Sequence, residues 1–142
     1  EAELSFTVDR TLPFLVPANI SSNSSYHGKE YAAHFDVSDN VQLNEVKAFI
    51  NGEQVESNLV GNDLSFTIPS SKHPYFIKVA ATDIAGNSTE LTYNNVIVTN
   101  NSFKYLLNRT WFKATVAALL TITAGITSLV LIRKRRKDNE LW

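Results

Sequence analysis

The chain has 142 residues, of which 44% are hydrophobic, and its 13 Lys and Arg nearly balance 14 Asp and Glu. This length allows one globular domain and little more. Because cysteine is absent, a disulfide framework, a cysteine-ligated zinc ion and a thiol nucleophile are all excluded. Residues 1–110 hold seven Lys and Arg against twelve Asp and Glu, whereas residues 111–142 hold six against two. The acidic body argues against a nucleic-acid partner, and the basic tail needs a separate explanation.

The first nine residues, "EAELSFTVD", lack the basic and apolar regions of a signal peptide. We expect residues 1–9 to complete a preceding module or to form an extended lead-in. The chain is therefore interpreted as the C-terminal part of a longer protein whose precursor carries a signal peptide.

Residues 10–100 are predicted to form an all-β, immunoglobulin-like sandwich of about seven short strands. After "LPFLV", hydrophobic residues alternate with polar ones, as expected where one face of a strand is buried and the other meets water. The predicted core positions are Tyr31, Ala33, Phe35 and Val37; Val46, Ala48 and Ile50; Leu64, Phe66 and Ile68; and Tyr75, Ile77, Val79 and Ala81.

Two local features refine this prediction. Asn51-Gly52 accepts the positive φ values of a tight hairpin turn. In the last strand the hydrophobic positions change parity, from Leu91 and Tyr93 to Val96 and Val98, which predicts a bulge at Asn94-Asn95.

The C-terminal part is predicted to be a membrane anchor. Ala114 to Ile132 is a run of 19 residues without a charge, about 28 Å long as a helix. We therefore predict a juxtamembrane segment at 101–112, a transmembrane helix at 113–132 and a basic tail at 133–142. Because the run "RKRRK" follows the span directly, the positive-inside rule places the tail in the cytoplasm and the body outside the cell. These topology residues are Arg133, Lys134, Arg135, Arg136 and Lys137.

The sequence resembles bacterial immunoglobulin-like repeats of Gram-positive surface proteins. The resemblance covers roughly residues 4–99 and rests on "VDRTLP", "FDVSDN", a strand with "NG", and "IKVAATDIAGN". It implies a stalk or adhesive module beside ligand-binding or enzymatic domains of a larger exported protein. The tail looks like a cell-wall sorting signal without Leu-Pro-x-Thr-Gly, so we expect a retained membrane anchor.

Calcium is the candidate cofactor. In an immunoglobulin-like sandwich, the incoming linker and two of the loops share one end, and here they carry oxygen ligands of the kind that calcium prefers. The candidates are Asp9, Asp39, Asp83 and Asn87, with Asn40 beside them. The competing interpretation is that Asp and Asn only form turns through local hydrogen bonds. The resemblance adds that some bacterial immunoglobulin-like arrays bind calcium between domains.

No catalytic motif is recognisable, and we predict that the chain is not an enzyme. His27, His34 and His73 have no neighbouring motif and are interpreted as surface residues. The preferred function is an extracellular spacer that tethers a larger surface protein to the cell membrane. Its partners are the bilayer, through residues 113–132, and upstream domains of the same polypeptide. The alternatives are the anchor region of a surface protease or glycosidase whose catalytic domain is upstream, and an adhesin module for a host glycan or protein.

Overall fold

The computed structural model describes residues 8–139, so most of the predicted lead-in, residues 1–7, and the end of the tail, residues 140–142, lie outside the described residues. Within residues 8–139, nine strands are followed by two helices, and the chain divides into one compact unit through Tyr105 and a second from Leu106 onward. The elements are β1 (Phe14–Pro17), β2 (Ser25–His27), β3 (Glu30–Ser38), β4 (Leu43–Ile50), β5 (Glu53–Val55), β6 (Ser57–Val60), β7 (Asp63–Pro69), β8 (Tyr75–Asp83), β9 (Ser88–Thr99), α1 (Ser102–Asn108) and α2 (Thr110–Asn139).

The strands form two sheets, and the predicted fold class is confirmed. One sheet has the order β1-β3-β7-β6 and the other β2-β9-β8-β4-β5. Among the described strands the pairs are antiparallel except that of β2 with β9, which is parallel. The four strands of the first sheet, together with β9, β8 and β4 at the centre of the second, have the arrangement of an immunoglobulin-like sandwich.

The core lies between the sheets and is made largely of the positions that alternation predicts, although Tyr31, Val46 and Tyr75 are only half-buried at its margin. Ala33, Phe35 and Val37 of β3 are fully buried, and they face buried residues of β8 and β9. The Phe35 ring stacks on Phe66 with a centroid separation of 5.9 Å and meets Tyr93 edge-on at 5.7 Å. The remaining buried hydrophobic residues are Leu15, Ile20, Ala48, Ile50, Leu64, Ile68, Ile77, Val79, Ala81, Val96 and Val98.

Both predicted irregularities are present. Asn51 and Gly52 have φ values of 53° and 89° in the turn between β4 and β5, and the Asn51 Oδ1 accepts a hydrogen bond from the Phe76 N–H at 2.9 Å. In β9, Tyr75 pairs with Val96 while Ile77 pairs with Tyr93, so β9 carries one extra residue there. Asn95, with a φ of 56°, occupies the left-handed conformation of this bulge.

The strand count is higher than the predicted seven. β2 and β6 have three and four residues at the edges of their sheets, and all of these residues are exposed or half-buried. Such edge strands carry little of the alternation that marks a strand with one buried face. The helix α1 also falls in the segment that was predicted only as a polar juxtamembrane connection.

α2 has 30 residues and contains the predicted span. Among the described residues it supplies one helix that is long and apolar enough to cross a membrane, Thr110–Arg136, and none of its apolar window is buried in protein. The threonine hydroxyls of its apolar stretch are satisfied within the helix. For example, Thr115 donates to the Trp111 carbonyl and Thr121 to the Ala118 carbonyl, at 2.9 and 2.8 Å. The helix therefore presents few unsatisfied polar groups to its surroundings.

Candidate functional site

An acidic cluster lies at the end of the sandwich where β3 and β8 finish. Asp9 precedes β1, Asp39 follows β3, and Asp83 is the last residue of β8. Each carboxylate has an oxygen within 4.8 Å of an oxygen of the other two. β3 and β8 belong to different sheets, so the fold unites groups that are up to 74 positions apart in sequence. The structure thus brings together the three acidic residues that the sequence predicts.

Asp83 is the buried member of this cluster, with a relative exposure of 1%. Its Oδ1 accepts hydrogen bonds from the N–H groups of Ala85 and Asn87, at 2.8 and 2.9 Å, and its Oδ2 accepts one from the Asn87 Nδ2 at 2.7 Å. Burial alone would raise the pKa of Asp83, but hydrogen bonds from Asn87, Ala85 and Gly86 outweigh it and lower the pKa below its ordinary value. Asp83 is therefore held as a carboxylate.

Asp39 and Asp9 are each oriented by backbone donors that use only one carboxylate oxygen. The Asp39 Oδ2 accepts hydrogen bonds from the N–H groups of Val41 and Gln42, at 2.9 and 3.0 Å. The Asp9 Oδ1 accepts one from the Thr11 N–H at 2.9 Å. The second oxygens, Asp39 Oδ1 and Asp9 Oδ2, both face the side chain of Asn40.

The Asn40 side chain faces the remaining oxygens of this cluster as a donor. Its amide nitrogen donates to Asp9 Oδ2 at 3.3 Å and to Asp39 Oδ1 at 3.2 Å. This amide therefore satisfies both carboxylate oxygens in the structure. Carboxylate oxygens are also the ligands that a hard cation such as calcium prefers.

Asn87 is at the cluster but presents its amide nitrogen to it. Besides its bond to Asp83, the Asn87 Nδ2 donates to the backbone carbonyl of Asp9 at 3.3 Å. Asn87 therefore ties the segment before β1 to the β8–β9 turn. In this arrangement it positions Asp9 and Asp83 rather than supplying an oxygen ligand.

The three histidines lie on the surface, as predicted, but two have specific partners. The His34 Nδ1 is 3.1 Å from both carboxylate oxygens of Asp63, on the outer face of the four-stranded sheet. Ser65 lies across from His34 in the register, and its hydroxyl donates to the Asn58 carbonyl at 3.5 Å. The His27 Nε2 lies 3.1 Å from the Ser102 Oγ. Within residues 8–139, then, no serine hydroxyl is hydrogen-bonded to the His34–Asp63 pair as a nucleophile would be.

Two groups of basic residues complete the description. Arg133 to Arg136 are exposed on the last turns of α2, and Lys137 follows in the same helix. Lys72 and Lys104 line a cleft at the sandwich end opposite the acidic cluster. The sequence analysis missed this cleft, because residues 72 and 104 carry no shared motif and only the pairing of β8 with β9 brings their loops together.

Comparisons with known proteins add a distant structural likeness. No protein-family model and no curated protein matches the chain. Fibronectin(III)-like modules of Clostridium thermocellum CbhA match with 18% sequence identity and a TM-score of 0.49, over 61% of this chain and 46% of theirs. A polysaccharide lyase matches with 14% identity and a TM-score of 0.42, over 66% of this chain and 13% of its own. The chain thus spans less than half of either structure, and neither likeness bears on activity, substrate or partner.

Proposed function

We propose that this chain is a non-enzymatic extracellular module that tethers a larger surface protein to the cell membrane. The observation that carries the proposal is α2, whose apolar stretch is unburied and follows the folded sandwich in the chain after the short helix α1. At about 1.5 Å per residue, the 27 residues from Thr110 to Arg136 extend about 40 Å, which exceeds the hydrocarbon core of about 30 Å.

The residues at the two ends of the span support a transmembrane placement. Trp111 and Phe112, whose rings meet edge-on at 5.9 Å, stand at the end nearer the sandwich, where aromatic residues favour the interface. Arg133 to Arg136 stand at the other end and are exposed. By the positive-inside rule this basic end is cytoplasmic, so the sandwich is extracellular.

Cysteine accessibility tests this topology, because the natural chain has no cysteine. In cells that export the chain behind a cleavable signal peptide, we expect Glu56→Cys, in the exposed connection between β5 and β6, to react with a membrane-impermeant maleimide. Asn139→Cys is expected to react only after permeabilisation. Labelling of Asn139→Cys in intact cells, or recovery of the chain in the soluble fraction, would contradict the tether.

We also propose that Asp9, Asp39 and Asp83 hold a calcium ion at the sandwich end farthest along the strands from α1. The convergence of the three carboxylates within 4.8 Å supports this proposal, and backbone and water oxygens complete the six to eight ligands that calcium takes. A calcium ion there offsets two of the three negative charges and fixes the segment before β1 against two loops. The bound ion would stiffen the junction with whatever domain precedes the sandwich.

Calcium is expected to raise the melting temperature of the sandwich. At about ten times a Kd of about 0.5 mM, binding to the native state alone contributes about 1.4 kcal/mol, a rise of about 5–10 °C for a domain of this size. The measurement is thermal unfolding of the full chain in nanodiscs, with calcium and with chelator.

The matched variants for this measurement are Asp39→Asn and Asp36→Asn. Asparagine at position 39 keeps an acceptor for the Val41 and Gln42 N–H groups but removes one charge from the cluster. Asp39→Asn is expected to lose the calcium response, whereas Asp36→Asn, exposed within β3, should keep it. If calcium left the melting temperature of the natural chain unchanged, the calcium proposal would be wrong, and the three carboxylates would serve only to form turns.

A further inference from the structure

A polar, basic cleft lies at the end of the sandwich from which the chain continues toward α2. β8 begins at Tyr75 and its antiparallel neighbour β9 ends at Thr99, so the loop before β8 and the segment after β9 share this end. The Ser71 N–H donates to the Val98 carbonyl at 2.9 Å and joins them. The cleft has a volume of about 350 Å³, and its polar lining includes Ser70, Ser71, Lys72, Asn100, Asn101 and Lys104.

The cleft has the chemistry of an oxyanion site. The Lys104 Nζ donates to the Lys72 backbone carbonyl at 2.6 Å, which fixes this half-buried ammonium group at the wall and leaves it two further N–H donors. The second cation, Lys72, is exposed, and the remaining wall offers hydroxyl and amide groups. Glu30 and Glu53 are near this end of the sheets but do not line the cleft. Two ammonium groups with neutral donors suit the several oxygens of a phosphate.

Chain connectivity limits how far this cleft lies from the candidate membrane span. Six residue steps separate Lys104 from Thr110, where α2 begins, and six steps reach at most about 22 Å even in a fully extended chain. Phe103, beside Lys104, is 64% exposed, and exposed aromatic rings favour the membrane interface. If α2 spans the bilayer, the phosphates held permanently within reach of the cleft are those of lipid headgroups.

We infer that this cleft binds the phosphodiester of an anionic phospholipid headgroup, with Lys72 and Lys104 as its cationic contacts. The inference rests on the proposed membrane tether. Bound in this way, the sandwich is held against the membrane surface by a second contact besides the covalent connection to α2. The opposite end, with Asp9, Asp39 and Asp83, is left facing away from the negatively charged lipid.

The test uses the full chain in nanodiscs of phosphatidylcholine, with and without phosphatidylglycerol. We expect phosphatidylglycerol to shift the backbone amide resonances of Ser71, Asn101 and Lys104, while resonances at the acidic end stay in place. The double substitution Lys72→Gln and Lys104→Gln should abolish these shifts.

Lys29→Gln is the matched control. Lys29 is exposed at the same end of the sandwich. Its carbonyl accepts a hydrogen bond from the Ser70 N–H, in the loop before β8, but Lys29 does not line the cleft. This variant loses the same charge and should keep the shifts. If Lys29→Gln lost the phosphatidylglycerol-dependent shifts to the same extent, the cleft would not be the binding site, and the shifts would be due to the general positive charge of this end.

The remaining outcomes separate the inference from the proposed function. Insertion is read independently from co-purification of the chain with the nanodisc scaffold. A chain that does not insert overturns both proposals, whereas an inserted chain without phosphatidylglycerol-dependent shifts overturns the headgroup site and leaves the tether standing. Inorganic phosphate added to phosphatidylcholine nanodiscs tests whether the cleft binds a free phosphate ion instead of a lipid headgroup. Shifts produced by free phosphate without any response to phosphatidylglycerol would overturn the lipid as the source.

Discussion

Two arginines placed in the middle of α2 are expected to remove the chain from the membrane. Ile122 and Ile126 lie near the centre of the apolar stretch, one helical turn apart and both exposed. Replacing each with arginine costs about 3–4 kcal/mol of insertion free energy, so the pair costs about 6–8 kcal/mol. The chain with Ile122→Arg and Ile126→Arg should therefore appear in the medium or the soluble fraction instead of the alkali-resistant membrane fraction.

The matched control for this prediction is the double substitution Ile122→Leu and Ile126→Leu. It changes the same positions without adding a polar group and should leave membrane retention intact. The sandwich must remain folded in both variants, which resistance to protease checks. Retention of the double-arginine chain in the alkali-resistant fraction would show that α2 is held by something other than the hydrocarbon core.

The sandwich core was predictable from sequence because its strands obey one simple physical condition. β3 and β7 each have one face against the opposite sheet and one in water, so Phe35 and Phe66 alternate with polar residues. The parity change before Val96 was informative for the same reason, since only an extra residue returns Val96 and Val98 to the core.

The edge strands and α1 could not be predicted in this way. β2 is held by three parallel pairs with β9, a contact between distant segments that leaves no periodic pattern in "SYH". α1 is short, and its first turn is fixed by the Asn101 Oδ1, which accepts from the Lys104 N–H at 3.0 Å. Such local caps stabilise a turn without the long periodicity that identifies a helix.

The acidic cluster was predictable in membership but not in detail. Expecting an immunoglobulin-like sandwich is enough to place Asp9, Asp39 and Asp83 at one end. The roles within the cluster depend on atoms: Asp83 is nearly saturated by turn donors, and Asn87 contributes its nitrogen. The sequence shows only that both residues carry oxygen. The cleft lined by Lys72 and Lys104 could not be predicted, because exposed lysines are common on a sandwich surface and no sequence motif connects these two.

Phe35→Ala is expected to be the most destabilising single substitution in the sandwich. Phe35, in β3 of one sheet, is fully buried and contacts both Phe66 in its own sheet and Tyr93 in β9 of the other. Since the chain has no cysteine, packing of this kind must hold the two sheets together. Truncation to alanine removes the ring and leaves a cavity, at a cost of about 3–5 kcal/mol. That is a large part of the 5–15 kcal/mol that typically stabilises a domain.

Phe35→Leu separates the loss of volume from the loss of ring contacts. Leucine fills most of the space but gives up the stacked and edge-on contacts with Phe66 and Tyr93, so its cost should be about 1–2 kcal/mol. Val60→Ala, at an exposed position of the edge strand β6, should change stability by less than about 0.5 kcal/mol. Pulse proteolysis of the full chain in nanodiscs across a urea series measures all three free energies of unfolding. If Phe35→Ala unfolded at the same urea concentration as Val60→Ala, the two sheets would have to be held together elsewhere than at the aromatic cluster.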